Sequence, residues 1–227
     1  MRSGVALAIF VKTPGLSPIK TRLSESIGKD SAQRFYELSV KATQAVAKAV
    51  KDQALNFEVY WAVAEPEAIQ ATIWSVFPKI FQGEGGLGDR LASVYDQLIS
   101  RYQHVCFIGA DSPHLTVHEL NDAIDKTKAR DSFVIGETFD GGFYFFGGGR
   151  PLPRELWRAV KYSSEWTSME LKTGLAKIGD ISLIGKSFDI DHGEDLDVYQ
   201  NLLISNPHFL KEQQELISWV KTLKGSR

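Results

Sequence analysis

Three cationic side chains follow the first apolar run of the chain. The stretch FVKTPGLSPIKTRL (residues 10–23) places Lys12, Lys20 and Arg22 between that run and a helix-like pattern. A helix N-terminus disfavours cations unless an anion is present, and a phosphate there would be held by lysines, an arginine fork and backbone N–H groups. The stretch, with Gly15 and Thr21, is therefore predicted to bind phosphate; a solvated loop is the alternative.

A carboxylate ends each of two later apolar runs. HVCFIGADSPHL leads into Gly109, Ala110 and Asp111, and SFDIDHGEDLDVY carries Asp191 between a short strand and a helix. Carboxylates that face phosphates need a cation between them, and Mg²⁺ or Mn²⁺ bound by one or two carboxylates and phosphate oxygens fits that need. We predict Asp111 and Asp191 as metal ligands, with Gly109 and Ala110 beside the nucleotide. The alternative role for Asp111 is to cap the following turn.

Acidic residues further along the second run have a simpler explanation. Glu194 and Asp195 open a helix, where negative charge suits the N-terminal dipole. Their capping role accounts for them without any function, and this leaves Asp191 as the free carboxylate.

Two glycine-rich turns add weaker signals. QGEGGLGDRL enters a helix and offers Gly88 and Arg90 as anion contacts, and ETFDGGFYFFGG contains Asp140, Gly141 and Gly142 between strand-like runs. The second turn is either a hairpin or a substrate contact in which Asp140 accepts hydrogen bonds from hydroxyl groups or acts as the base that activates an acceptor. One tryptophan in a polar run, Trp166, is a candidate for stacking on a sugar or base.

The remaining reactive side chains favour ordinary roles. His114 and His192 flank the two aspartates as further ligands or proton carriers, but a polar surface histidine is the favoured description of each. The single cysteine, Cys106, lies in an apolar run and is expected to be a small core residue in a reducing setting.

Composition excludes several classes of protein. The 227 residues carry a net charge of -2, so nothing global attracts nucleic acid or an anionic membrane. The apolar run VALAIFV is too short to span a bilayer and lacks the cleavage context of a signal peptide. We expect a cytoplasmic protein with no nucleic-acid partner and no membrane span.

The chain alternates β-branched or aromatic runs with helix-period stretches, which is typical of an α/β domain. A long helix is expected after Asp30, and a short one around Leu23 and Ile27. No linker divides the chain, so residues 1–227 are predicted to form one domain. The predicted strands are Val5–Val11, Phe57–Val63, Val105–Ile108, Phe133–Ile135 and Phe143–Phe146, and the other predicted helices are Leu87–Tyr102, Val117–Lys128, Leu196–Leu203 and Glu212–Leu223.

Together and in this order, the motifs FVKTPGLSPIKTRL, GEGGLGDRL, GADSPHL, DGGFYFFG and DIDHGEDL resemble the bacterial nucleotide-diphospho-sugar-transferase-like family, often labelled selenodomain-associated glycosyltransferases. The resemblance covers roughly the first 200 residues and is more remote to cytidylyl- and guanylyltransferases. It implies a single-domain GT-A-like α/β fold, with a mixed, mainly parallel sheet flanked by helices. Nucleotide would lie over the N-terminal half of the sheet and acceptor over the C-terminal half.

The resemblance also implies roles for single residues. Asp111 matches the metal-binding aspartate after the central strand, and Asp191 matches the aspartate of a D-T-P-E-D-L pattern that supplies the second metal contact. The chain departs from the pattern at Ser17, where relatives carry glycine, and at His192-Gly193, where relatives carry Thr-Pro. The first departure, followed by a proline without an N–H, weakens the expectation of a tight triphosphate grip.

Two reactions fit these residues. A glycosyltransferase would take a sugar from a nucleotide sugar, whereas a nucleotidyltransferase would use a nucleoside triphosphate and release pyrophosphate. The cationic loop favours the second reaction, and the missing loop glycine and the family resemblance favour the first, which we take as the expectation. The acceptor is unidentified, and a catalytically silent nucleotide-binding protein is a third possibility.

Overall fold

The computed structural model describes residues 3–129, 132–202 and 208–225. Seven strands form one sheet in the order β3-β2-β1-β4-β6-β5-β7. Only β6 runs against its neighbours, β4 and β5; the other pairings are parallel. The strands are β1 Val5–Val11, β2 Phe57–Val63, β3 Lys79–Phe81, β4 His104–Gly109, β5 Phe133–Thr138, β6 Phe143–Gly148 and β7 Ile181–Ser187.

The described residues also form eight α-helices, and two short 3-10 helices, Pro66–Gln70 and Thr72–Trp74, join β2 to β3. Among the described residues, no helix is both long and apolar enough to cross a membrane. The helices are α1 Thr21–Ile27, α2 Lys29–Gln53, α3 Leu87–Ile99, α4 Val117–Lys128, α5 Arg154–Arg158, α6 Thr167–Leu175, α7 Asp195–Leu202 and α8 Lys211–Gly225.

Alternation along the buried strands builds a core on each face of the sheet. In β1, Leu7 and Ile9 pack with residues of α2 and α4, and Ala6 and Ala8 pack with residues of α3, α5 and α6. This two-sided burial explains why the inner parallel strands read as continuous apolar runs. A third cluster joins α1, α2, α7 and α8, and it includes Leu23.

The mixed, mainly parallel sheet flanked by helices confirms the predicted fold class. All five predicted strands are present, although β4, β5 and β6 extend beyond the predicted ends. The helix predicted to reach Tyr102 stops at Ile99, because the chain then turns so that the Gln103 N–H donates to the carbonyl of Gly4. Leu203, the predicted end of α7, lies outside the described residues.

Five elements were not predicted: β3, α5, α6 and the two 3-10 helices; β7 was expected only as a short strand before Asp191, and it ends at Ser187. Strand β3 has three residues, and β7 is an edge strand with mostly exposed or half-exposed residues, so neither gives a strong apolar pattern. Helix α5 is five residues long and presents Trp157 to the core. Short elements of this kind depend on tertiary contacts more than on local sequence.

Candidate active site

One large cleft opens at the carboxyl ends of the parallel strands. It has a volume of about 930 Å³ and is lined by segments that follow β1, β3, β4, β5 and β7. Ligands of open α/β sheets bind at this edge, and the volume suits a nucleotide with a second substrate. Ten predicted residues line the cleft: Lys12, Lys20, Thr21, Arg22, Arg90, Gly109, Asp111, Asp140, Gly142 and Asp191.

Tyr36 of α2 holds the peptide groups at the start of the β1–α1 loop. The Lys12 N–H donates to the Tyr36 hydroxyl at 2.8 Å, and that hydroxyl donates to the Lys12 carbonyl at 2.9 Å. The next N–H, of Thr13, donates to Oε2 of Glu65 at 2.9 Å. Further along, the N–H groups of Leu16 and Ser17 both donate to the Thr13 carbonyl. Four backbone donors of this loop are therefore bound within the protein.

Lys20 lies at the centre of the site with its ammonium between two carboxylates. Its Nζ is 2.7 Å from Oδ1 of Asp111 and 2.9 Å from Oδ1 of Asp191, and its side chain is only 4% exposed. The backbone of Lys20 is left-handed, with φ 46° and ψ 46°. A non-glycine residue in that conformation is strained by about 1–2 kcal/mol, which the two ion pairs offset.

The two ion pairs also set the ionisation of Lys20. Burial by itself lowers the pKa of the ammonium, but the charges and hydrogen bonds of Asp111 and Asp191 outweigh burial and raise the pKa to about 12. Lys20 is therefore charged throughout the physiological range. Asp191 also lies 3.6 Å from Nη1 of Arg22, and its pKa is lowered because these cations outweigh the effect of its own burial.

The Asp111 loop is anchored by α2 and by the segment after β7. Ser39 donates a short hydrogen bond to the carbonyl of Ala110, and the N–H of Ile190 donates to the carbonyl of Asp111. These contacts bring the turn after β4 against the segment that carries Asp191. The pairing of two carboxylates distant in sequence therefore depends on the packing of α2 and β7.

Asp191 is positioned by a capped turn. Oδ2 of Asp195 accepts hydrogen bonds from the N–H groups of Asp191 and His192, at 2.9 and 2.6 Å, which is the capping role expected for Asp195. Gly193 lies so close to Ser26 of α1 that an added Cβ would be 2.9 Å from the Ser26 Cβ. His192-Gly193, which stands here in place of the Thr-Pro of the relatives, therefore fits against α1, and Asp191 lines the cleft.

The donor set suits a hard divalent cation. Oδ1 of Asp111 and Oδ1 of Asp191 converge on one point, and carboxylate oxygens supplemented by substrate phosphates are the ligands that Mg²⁺ and Mn²⁺ accept. No group of three His, Cys, Asp or Glu side chains suited to a metal occurs in the described part of the chain, so phosphate oxygens would have to complete the set. The point of convergence holds the Lys20 ammonium, which would have to withdraw.

A third carboxylate, Asp189, lies beside the pair. Its Oδ1 accepts a hydrogen bond from the Ser112 hydroxyl at 2.7 Å. Burial, followed by repulsion from Asp111 and Asp191, raises the pKa of Asp189 to about 7. The sequence analysis singled out Asp191 in this motif and not Asp189, although the two residues are only two positions apart.

The Asp140 turn has the predicted hairpin character. Oδ1 of Asp140 accepts hydrogen bonds from the Thr138 hydroxyl and from the N–H of Gly142, the latter at 3.1 Å. Both of these bonds go to one oxygen, which leaves Oδ2 for a ligand in the cleft. The hairpin and the substrate-contact interpretations are therefore compatible.

Five predicted residues do not line the cleft. Ala110 is buried, and Gly88 packs so closely on the Trp157 carbonyl that an added Cβ would be 2.6 Å from it. Gly141 lies under the Glu165 carbonyl, which an added Cβ would approach to 2.0 Å. The remaining two, Gly15 and Trp166, are exposed outside the lining. Helix packing and turn geometry explain the glycines at 88 and 141.

His114 is not the surface residue that the sequence suggested. Its ring stacks on Phe188 with centroids 4.4 Å apart, and its Nε2 is 2.7 Å from the Ser187 hydroxyl oxygen. Burial lowers the pKa of His114 to about 4. His192 is exposed, as expected, and Cys106 is a buried thiol in the core.

Comparison with known proteins gives a family. The family model described as "Uncharacterized protein conserved in bacteria (DUF2064)" matches residues 45–164, just over half of the 227 residues. The chain belongs to this family. Comparison with curated proteins gave no match.

Solved structures agree on the fold of this DUF2064 protein. A provisionally named nucleotide-diphospho-sugar transferase from Desulfovibrio desulfuricans G20 superimposes with a TM-score of 0.82 at 19% identity, covering 99% of this chain and 98% of that one. A 4-diphosphocytidyl-2C-methyl-D-erythritol synthase from Anaerococcus prevotii DSM 20548 has a TM-score of 0.56 at 9% identity, covering 90% and 97%. A cytidylyltransferase from Leptospira borgpetersenii serovar Hardjo-bovis has a TM-score of 0.54 at 17% identity, covering 99% and 96%. The fold is that of the nucleotide-diphospho-sugar transferases.

Several cleft residues of this DUF2064 protein had no clear signal in the sequence. Gln82 donates from Nε2 to the carbonyls of Val11 and Ala62, and Tyr36 anchors the β1–α1 loop. Both side chains read as ordinary residues of a loop and a helix. Glu165 also lines the cleft, and only its place next to the Gly141 turn identifies it.

Proposed function

We propose that this DUF2064 protein is a glycosyltransferase that uses a nucleotide sugar as donor and a divalent cation, Mg²⁺ or Mn²⁺. The observation that supports this most strongly is the arrangement of the cleft, in which Lys12, Arg22 and Arg90 line the same cavity as the pair formed by Asp111 and Asp191. Cationic side chains suit the donor phosphates, and the paired carboxylates suit the metal that would neutralise them.

The hydrogen bonds of the β1–α1 loop favour a diphosphate over a triphosphate. A tight triphosphate cradle uses backbone N–H groups that point at the phosphates. Here the N–H groups of Lys12, Thr13, Leu16 and Ser17 are bound to internal acceptors, and Pro18 has none. The loop thus offers side-chain cations but few free backbone donors, which suits the smaller charge of a nucleoside diphosphate leaving group.

The chemistry assigned to the residues follows from their positions. An acceptor hydroxyl attacks the anomeric carbon, and the bond from that carbon to the diphosphate oxygen breaks. Lys12, Arg22 and Arg90 stabilise the negative charge that develops on the leaving diphosphate. The Oδ2 atom of Asp140, which the turn leaves without a hydrogen bond, would accept the hydroxyl proton. Asp111 and Asp191 would hold the metal, which supplies further neutralisation of the leaving phosphate when bound.

Nucleotidyl transfer is the second candidate. Four cationic side chains of the described residues line the cleft, which is a larger number than a single diphosphate needs. Cytidylyltransferases have the same fold. A nucleoside triphosphate would then be the better ligand. A silent nucleotide-binding protein would bind nucleotide without turnover.

A thermal-shift panel separates these functions. Nucleoside diphosphates, nucleoside triphosphates and nucleotide sugars are tested with and without Mg²⁺ or Mn²⁺ on wild type, Asp111→Asn and the matched surface variant Asp122→Asn. A ligand at 100 times its dissociation constant adds about 2.7 kcal/mol to the free energy of unfolding. We expect metal-dependent stabilisation by one nucleotide sugar, retained in Asp122→Asn and lost in Asp111→Asn.

Each other outcome identifies an alternative. A triphosphate that stabilises more than any nucleotide sugar would favour nucleotidyl transfer. Stabilisation by a nucleotide sugar without release of its nucleoside diphosphate, over a broad acceptor panel, would favour the silent protein. No stabilisation by any nucleotide in a well-folded sample would refute the proposed site.

A further inference from the structure

The charged residues that line the cleft are separated by sign along the chain. Those before residue 109 are bases, Lys12, Lys20, Arg22 and Arg90, and those after it are acids, Asp111, Asp140, Glu165, Asp189 and Asp191. Asp111 and Asp191 pair with the Lys20 ammonium, and Asp189 lies beside them. The other two, Asp140 and Glu165, lie on the wall after β5 and before α6, on the side away from the cationic loop.

The wall that carries Asp140 and Glu165 is held together by backbone contacts. The N–H of Ser168 donates to the carbonyl of Gly141 at 2.8 Å, and Gly141 fits directly under the Glu165 carbonyl. The two carboxylates thus belong to adjoining, mutually bonded segments. Lys172 and Lys186 are paired with Glu137 and not with these two carboxylates.

Most hydroxyl donors of this wall are already used. The Thr167 hydroxyl donates to the carbonyls of Lys161 and Ser164, the Tyr162 hydroxyl donates to the Trp157 carbonyl, and the Tyr144 hydroxyl donates to the Gly185 carbonyl. The hydroxyl of Ser164 likewise donates to the carbonyl of Lys161. A phosphate or carboxylate in this half of the cleft would find few donors among the described residues.

Two carboxylates of the wall are unused hydrogen-bond acceptors, and the Ser163 hydroxyl beside them can donate or accept. Within residues 3–129, 132–202 and 208–225, the Glu165 carboxylate has no hydrogen-bond or ion-pair partner, and the turn leaves Oδ2 of Asp140 open. Carboxylates accept hydrogen bonds from hydroxyl or ammonium groups and repel anions. A ligand that engages these two carboxylates must therefore supply hydrogen-bond donors.

We propose that the acceptor of the transfer is a hydroxyl-bearing molecule that is neutral or carries an amine, and that Asp140 and Glu165 select against phosphorylated or carboxylated acceptors. This inference rests on the proposed glycosyl transfer. The acceptor oxygen forms a bond to the anomeric carbon, its proton passes to the carboxylate of Asp140, and the electron pair of the broken bond leaves with the nucleoside diphosphate. Glu165 acts on specificity through the charge that it presents to the acceptor.

The test compares two probes that differ by one phosphate, glucosamine and glucosamine 6-phosphate. Their binding is measured by saturation-transfer NMR with Mg²⁺ and pyrophosphate at saturation, so that pyrophosphate occupies the cationic half of the cleft. Variants Glu165→Lys and Glu165→Gln are compared with Glu67→Lys, an exposed residue outside the cleft that gives the same change in net charge as Glu165→Lys.

We expect wild type to bind glucosamine about tenfold more tightly than its 6-phosphate, since like charges at close range cost about 1–2 kcal/mol. Glu165→Gln should reduce this preference and Glu165→Lys should remove it, while Glu67→Lys should keep it. Equal binding of the two probes by wild type, tighter binding of the phosphate, binding of neither, or the same preference in Glu165→Lys would each overturn the inference. Failure of the proposed glycosyl transfer appears separately, as the absence of any nucleotide-sugar stabilisation in the thermal-shift panel.

Discussion

Replacing Lys20 by methionine tests the centre of the site directly. Methionine keeps most of the volume of the buried side chain but removes the ammonium that lies between Asp111 and Asp191. The variant leaves two carboxylates facing each other, with Asp189 beside them. We expect Lys20→Met to be less stable than wild type without divalent cations and to bind such cations more tightly.

The magnitude follows from the pKa of Lys20. Its rise from 10.5 to about 12 means that the folded protein favours the charged ammonium by about 2 kcal/mol, after the cost of burial. A raised lysine pKa contributes stability that is fully present below pH 10.5 and is lost only as the pH rises through about 12. Titration near neutrality cannot remove the interaction, so a substitution is required.

Differential scanning calorimetry with increasing MnCl₂ measures both effects. A loss of about 2 kcal/mol lowers the melting temperature of a protein of this size by about 4–8 °C. Because the cation no longer competes with the ammonium, its apparent affinity should rise by about thirtyfold in Lys20→Met. Lys126→Met, which removes an exposed ion pair with Asp122, is the matched control and should change neither quantity appreciably.

Two outcomes would contradict this account of Lys20. If MnCl₂ shifts the melting temperature of wild type and Lys20→Met equally, Lys20 does not compete with the cation, and the carboxylate pair is not its binding point. A variant as stable as wild type in metal-free buffer would show that the two ion pairs do not offset the burial of the ammonium.

Three further predictions address the framework of the site. Burial lowers the pKa of His114 from 6.5 to about 4, so the contribution of His114 to stability falls by about 2 kcal/mol between pH 7 and pH 5. Asp189, whose pKa is raised to about 7, changes in the opposite direction, so the quantity to measure is the difference in urea-unfolding free energy between wild type and His114→Gln, which should shift by about 2 kcal/mol against wild type over this range. Tyr36→Phe removes both hydrogen bonds to the loop peptide, so it should lower the free energy of unfolding by about 1–3 kcal/mol and weaken the stabilisation by nucleotides. The control Tyr102→Phe removes a hydroxyl that pairs with Tyr60 outside the cleft, and it should leave the stabilisation by nucleotides unchanged. Gly141→Ala, at φ 91° and against a carbonyl, should cost about 2–4 kcal/mol in chemical denaturation, and Gly185→Ala, with open space around it, should be near neutral; equal costs would show that the turn does not constrain this position.

Much of the fold was visible in the sequence because its signals are local. The inner strands β1, β2 and β4 are buried on both faces, so each appears in the sequence as a continuous apolar run. Such a run can be recognised without reference to the rest of the chain. Helices α2 and α4 show a clear apolar face in the same way. The edge strand β7 is half exposed, and its pairing with β5, not its composition, makes it a strand.

The order of the residues is enough to say which chemical groups follow which strands. Asp111 follows the strand that ends at Gly109, and Lys12 follows the strand that ends at Val11; since parallel strands share one carboxyl edge, these groups had to meet at one end of the sheet. The types of residue and their order were therefore sufficient to predict cations and carboxylates in a single cleft.

Which of these groups are in contact depends instead on how the helices pack around the sheet. Lys20 and Asp191 are 171 positions apart, and their contact depends on Gly193 fitting against α1 and on the third core cluster holding α7 and α8 beside α2. The sequence assigned Lys20 to phosphate, whereas the fold places its ammonium between the two carboxylates. Ion pairs between residues so far apart in the sequence follow from packing, because their charges alone do not determine which of several oppositely charged residues will be the partner.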